Sequence, residues 1–201
     1  MSYIGTQPNN VKKNTGIYNP NEILQLTKDG NWGGSMELIE SQTASTSSAL
    51  NFTNLGNYDV HFMTLDNFQN TTSTTRQVNA RFSNDGGSSY ESTSNYDRVY
   101  VFVSTGGSSG DIRNTGQTEM SRFFEIDTDS RTSQSVIYFY NLLDSSKFSF
   151  VTFQSWNSEG DYTEFGGFSY EVAETINAIS IYASADAFAT GNAKLYGLKE
   201  I

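Results

Sequence analysis

The chain has no cysteine, two prolines and one histidine in 201 residues. Without cysteine there is no disulfide, no thiolate nucleophile and no thiolate zinc site, so stability has to come from packing, hydrogen bonding or oligomerisation. A single histidine argues against a transition-metal centre, and no metal or other cofactor is expected. No stretch reaches the roughly 20 apolar residues that span a bilayer, and the opening MSYIGTQPNNVKKN lacks the apolar core of a signal peptide. A soluble product, not exported by that route and with no membrane partner, is expected. Basic residues are also scarce, with twelve Lys and Arg against twenty-two Asp and Glu for a net charge of −10. Such a surface repels phosphate backbones, which argues against nucleic acid.

What the chain does have is aromatics, twelve Tyr and fourteen Phe, set among Ser, Thr, Asn and Gly. Strand-favouring rings beside turn-favouring small polar residues point to β structure. Charge divides the chain in two. Residues 1–34 carry three lysines against two acids for +1, and residues 35–201 carry nine bases against twenty acids for −11. The first segment reads as an arm. It holds both prolines, and Asn19-Pro20-Asn21-Glu22 has the form of a helix start, with Asn19 as N-cap, Pro20 at the first helical position and Gly30 as the stop. A helix of about ten residues is marginal alone and needs an apolar partner for Ile23, Leu24 and Leu26. With Tyr3, Ile4, Ile17, Tyr18 and Trp32, these residues are the expected anchor of the arm.

From Met36 the pattern changes to period two, in segments of about five to eight residues between turn clusters. Strands are expected at Leu50/Phe52, Tyr58/Val60/Phe62, Val78/Ala80/Phe82, Val99/Val101/Val103, Val136/Tyr138/Tyr140, Phe148/Phe150, Phe168/Tyr170/Val172, Ile179/Ile181 and Lys194–Leu198. Shorter runs at Met36–Glu40 and Phe123–Ile126 bring the total to about ten or eleven. The expected fold is all-β, an antiparallel β-sandwich of jelly-roll-like type in residues 35–201, preceded by the arm with its short helix. Several strands, such as Val99–Val103 and Val136–Tyr140, are apolar on both faces. One face fills the sandwich, and the other implies cover by the arm or by a neighbouring subunit.

No catalytic constellation emerges. His61 lies in an alternating run with no nucleophile elbow G-x-S-x-G in the chain, and reads as an ordinary strand histidine. The densest carboxylates are Asp127 with Asp129, and Glu159 with Asp161 and Glu164. Their spacing establishes neither a glycosidase pair nor a calcium loop. The glycine clusters at Asn84–Gly87, Thr105–Gly110 and Phe165–Gly167 open no βαβ helix and contain no G-K-[ST], so they read as hairpin turns. The segment SWNSEGDYTEFGG reads as a loop, and its Trp156 and Tyr162, together with Tyr90, are candidates for glycan contact.

Ser83-Asn84-Asp85-Gly86-Gly87-Ser88-Ser89-Tyr90 resembles the Asp-box of sialidase propellers and other β proteins, which implies a stabilised hairpin. It occurs once, so no propeller is implied. A wider resemblance runs along the chain. Tyr18–Ile23, Asp29–Glu40, Asn51–Leu55, Arg81–Tyr90 and the ending Ala193-Lys194-Leu195-Tyr196-Gly197-Leu198-Lys199 are similar in order to virion proteins of tailed phages, especially marine and cyanophage relatives. The resemblance implies a phage structural protein, found in the virion and made in the host cytoplasm, in a tail, fibre or capsid-surface position. It brings no catalytic residues. The expected partners are other virion proteins (tail, portal-proximal or capsid) reached through the arm, and further copies of the chain in a trimer or ring. A host-surface carbohydrate-binding module is the alternative.

Overall fold

The computed structural model describes residues 20–21, 36–128, 131–157 and 160–198. The chain divides into units at Ser35/Met36. Of the first, only Pro20 and Asn21 are described, with helical backbone. The rest of the expected helix, its Asn19 cap and Gly30 stop, and the anchor residues Tyr3, Ile4, Ile17, Tyr18, Ile23, Leu24, Leu26 and Trp32 lie outside the described residues.

Among the described residues the body is an antiparallel β-sandwich of twelve strands. In chain order they are β1 (Met36–Ser47), β2 (Ala49–Phe52), β3 (Val60–Asn70), β4 (Arg76–Ser83), β5 (Tyr96–Ser104), β6 (Ser109–Gln117), β7 (Met120–Ile126), β8 (Ser133–Tyr140), β9 (Ser149–Asn157), β10 (Tyr162–Tyr170), β11 (Ala178–Ala183) and β12 (Phe188–Leu198). Eight form one sheet in the order β1-β12-β3-β8-β9-β10-β5-β6, and four form the other, β2-β11-β4-β7. The small sheet lies across the inner face of the large one, with β7 against β8 and β9.

Alternation drives this arrangement, because successive strand residues point to opposite faces. In the small sheet the inward set is Leu50 and Phe52, Val78, Ala80 and Phe82, and Ile179 and Ile181, all buried. From the large sheet Met63, Leu65, Ile137, Phe139, Val151, Phe153 and Phe168 meet them. Edge-to-face rings bind the layers: Phe82 with Tyr170 at 5.6 Å, Phe123 with Phe153 at 5.3 Å and Phe68 with Phe124 at 5.9 Å between centroids. Such pairs add about 0.5–1.5 kcal/mol each beyond area burial.

Three local expectations need correction. Asp85-Gly86-Gly87 does turn the chain, with Gly86 and Gly87 at positive φ, but no hairpin results. The strand before it, β4, pairs with β11 and β7, whereas the strand after it, β5, pairs with β10 and β6. The Asp-box segment is therefore a crossover between sheets. Its carboxylate accepts from the Ser89 N–H at 2.9 Å and the Ser89 and Ser83 hydroxyls at 2.6 and 2.7 Å, which holds Asp85 down to about pKa 2. Phe165-Gly166-Gly167 is no turn either and lies inside β10. The segment read as one long loop is mostly strand, since Trp156 belongs to β9 and Tyr162 to β10. Thr105–Ser108 does make the expected hairpin, between β5 and β6.

Candidate functional site

The outer face of the large sheet is where the molecule departs from an ordinary half-solvated sheet. Along β9 the outward residues are Phe150, Thr152, Gln154 and Trp156, alternating with buried Ser149, Val151, Phe153, Ser155 and Asn157. Register carries this face across the sheet. One row runs Tyr196, Phe62, Tyr138, Thr152, Gly167, Val99 and Arg113, on β12, β3, β8, β9, β10, β5 and β6. The next runs Lys194, Thr64, Val136, Gln154, Phe165, Val101 and Asp111. Trp156 and Phe150 are 42% and 45% exposed, and Val99, Val103, Val136, Tyr138 and Phe165 are exposed beside them.

Two depressions open on this face. One, of about 560 Å³, is lined by Asp97, Val99, Arg113, Phe150, Thr152 and Gly167 among others. The second, of about 340 Å³, surrounds Trp156 with Asp66, Gln134, Val136, Gln154 and Thr163. They adjoin across β9, where Thr152 lines one and Gln154 the other. Gly167 sets the floor of the first. A Cβ there would stand 2.4 Å from the Val151 carbonyl oxygen, so no side chain can rise at that point.

No protein-family model matches this chain, and no curated protein matches it.

The three candidate aromatic contacts do not assemble. Trp156 is on the outer face, but Tyr162 is turned inward. Its hydroxyl donates to Glu125 Oε2 at 2.5 Å and accepts from the Arg122 guanidinium at 3.1 Å. Tyr90 lies on the Asp-box crossover, its hydroxyl buried with no hydrogen-bond partner among the described residues, in a separate polar cleft with Glu91 and Glu174. The partners Trp156 does have, Asp66, Gln134, Gln154 and Thr163, escaped sequence reading because they come from four strands.

The candidate carboxylates separate in the same way. Asp129 and Glu159 lie outside the described residues. Asp161 makes an exposed 2.7 Å pair with Arg131. Glu164 is fully buried, held by Arg122 Nε at 2.8 Å and Asn157 Nδ2 at 3.0 Å. Arg122 reaches it from a bulge in β7, where register slips opposite Asn79 and the Arg122 backbone adopts φ +69°. The Asn79 side-chain carbonyl accepts the Arg122 N–H at 3.0 Å and fixes that bulge. Burial pushes the Glu164 carboxyl up to about 7, against the pull of Arg122 and Asn157. The cluster of Arg122, Glu125, Tyr162, Glu164 and Asn157 ties β7 to β9 and β10, and its geometry is that of a clamp between layers.

His61 is also turned inward and fully buried, its Nε2 2.8 Å from the Leu55 carbonyl oxygen and its ring edge-on to Tyr58 at 5.9 Å. Desolvation lowers its pKa and keeps the ring neutral. Among the described residues no three His, Asp or Glu side chains gather as metal ligands would.

Proposed function

We propose that this chain is a structural protein of a tailed-phage virion that docks by its N-terminal arm onto another virion protein and presents the β-sandwich. It works by holding surfaces together and does not catalyse a reaction. The observation that supports this reading most is the outer face of the eight-stranded sheet. Rings and aliphatic side chains there stand exposed in adjacent rows, which is the surface of a protein that meets another molecule. The arm adds to it through its apolar residues, its opposite charge to the body and its resemblance to virion proteins.

Deleting residues 1–34 and measuring incorporation into particles tests the anchoring role. Loss of incorporation with a body that still melts cooperatively is expected. A truncated protein that incorporates normally would overturn the anchor. A second reading, a host-surface carbohydrate-binding module, is favoured by the surroundings of Trp156.

A further inference from the structure

We infer that the outer face of the large sheet binds a linear, neutral oligosaccharide laid along β9. This rests on the reading that the face is presented outward by the anchored chain. Phe150 and Trp156 stand on one face of one strand, six residues apart, so their rings are about 20 Å from each other along β9. That span takes several pyranose rings. An exposed indole or phenyl face offers the flat apolar surface against which the C–H face of a sugar stacks. Placed at the two ends of the groove, the rings form a pair of platforms.

The groups between the platforms suit hydroxyls. Thr152 and Gln154 lie directly between them, Gln134 flanks them on β8, and Thr163 and Ser169 flank them on β10. The side-chain amides of Gln134 and Gln154 make no hydrogen bond to other described residues, so their donors and acceptors are free for a ligand. Sugar hydroxyls both donate and accept, which an amide answers on each side. The low floor at Gly167 lets a ligand settle between Thr152 and Val99, and the two depressions are of the size that small-molecule and glycan sites occupy.

Charge narrows the ligand further. Asp66 sits at one end of the groove and Asp97 with Arg98 and Arg113 at the other, so the charged lining is balanced, on a protein of net charge −10. A balanced groove gives a sulfated, phosphorylated or uronic-acid chain no gain over a neutral one, and the net negative charge of the whole molecule works against it. A protein partner fits less well, because the apolar core of a protein interface is continuous and its polar groups are at the rim. Here hydroxyl and amide side chains interrupt the rings along the centre line.

The test is calorimetric titration of the full chain with cellohexaose, maltohexaose, mannohexaose and chitohexaose, and with the matching disaccharides. At least one hexaose is expected to bind, with its disaccharide roughly tenfold weaker or more. Trp156→Ala and Phe150→Ala should each weaken that hexaose about tenfold, which is about 1.4 kcal/mol. Val103→Ala, exposed on the same face but outside both depressions, should bind as wild type, and melting curves confirm that all three variants fold. Binding of none of the four hexaoses, or unchanged binding by both ring variants, overturns the inference. Equal affinity for hexaose and disaccharide overturns the two-platform groove. A chain that binds no glycan yet needs residues 1–34 to enter particles would refute the glycan inference alone. Glycan binding beside a dispensable arm would refute the anchor alone.

Discussion

The two faces of the eight-stranded sheet are built from similar residues and do different things. On β9 the inner face buries Val151 and Phe153, while the outer face exposes Phe150 and Trp156. On β8 buried Ile137 and Phe139 alternate with exposed Val136 and Tyr138. Hydrophobicity therefore does not decide which side is core. The four-stranded sheet does, by covering one side and leaving the other open. A second difference is where charge lies, since the inner face encloses the clamp of Arg122 and Glu164 while the outer face keeps its charges toward the ends of the depressions.

The sharpest way to break this comparison is to remove one ring from each face of the same strand. Phe153→Ala should cost about 3–5 kcal/mol, because it empties a site packed by Tyr100, Phe123 and Phe168. Phe150→Ala, three residues earlier, should change stability by no more than about 0.5 kcal/mol. Chemical denaturation of both measures the contrast, and similar losses would mean that the outer face is packed in solution.

Next in size is Gly167→Ala. Its Cβ would meet Val151 backbone at 2.4 Å, so the strands must separate, at a cost of about 1–3 kcal/mol. The same variant should weaken any ligand of the groove, and a stable, fully binding variant would refute the close approach of β9 and β10.

The smallest effect concerns pH and the clamp. Burial holds the Glu164 carboxyl up at about 7, against 4.5 for a free glutamate, so the folded state keeps its proton more tightly than the unfolded chain. The stability that this group contributes is complete below about pH 4.5 and is lost as pH rises through about 7. Glu164→Gln cannot ionise, and its melting temperature should fall less than that of the wild type between pH 5 and 7.5. Parallel profiles would show that Glu164 is ionised throughout as the partner of Arg122.

Much of the fold was legible in the sequence, for a reason specific to each strand. Period-two apolar runs mark β2, β4 and β11, whose inward positions need side chains that pack, whereas the runs that mark β5 and β8, Val99/Val101/Val103 and Val136/Tyr138/Tyr140, are the outward sets of those strands. The strand β6 went unread because Ser109-Gly110-Asp111-Ile112-Arg113-Asn114-Thr115-Gly116-Gln117 is polar and lies at a sheet edge, where one neighbour suffices. The first half of β10 was hidden by Gly166-Gly167. These glycines serve close strand approach, a Cβ on Gly166 falling 2.2 Å from the Val99 carbonyl oxygen, and local sequence cannot tell that from a turn. The site was legible only in part. Trp156 stands out as a ring, but which way it points depends on the phase of β9, and its neighbours are set by register between strands far apart in the chain. Tyr162 was misjudged for the same reason, since the turn before it reverses the chain and sends its side chain inward.

The pairing of β1 with β12 has a consequence in time. These strands hydrogen-bond along ten register positions, from Met36 with Leu198 to Ser47 with Phe188, yet nearly the whole body lies between them in the sequence. Non-local pairing of this kind is slow to form, because the chain must close a long loop before any contact repays it. On the ribosome β1 has no neighbour on that side until β12 has been made, so the edge that follows the arm is the last part of the large sheet to close.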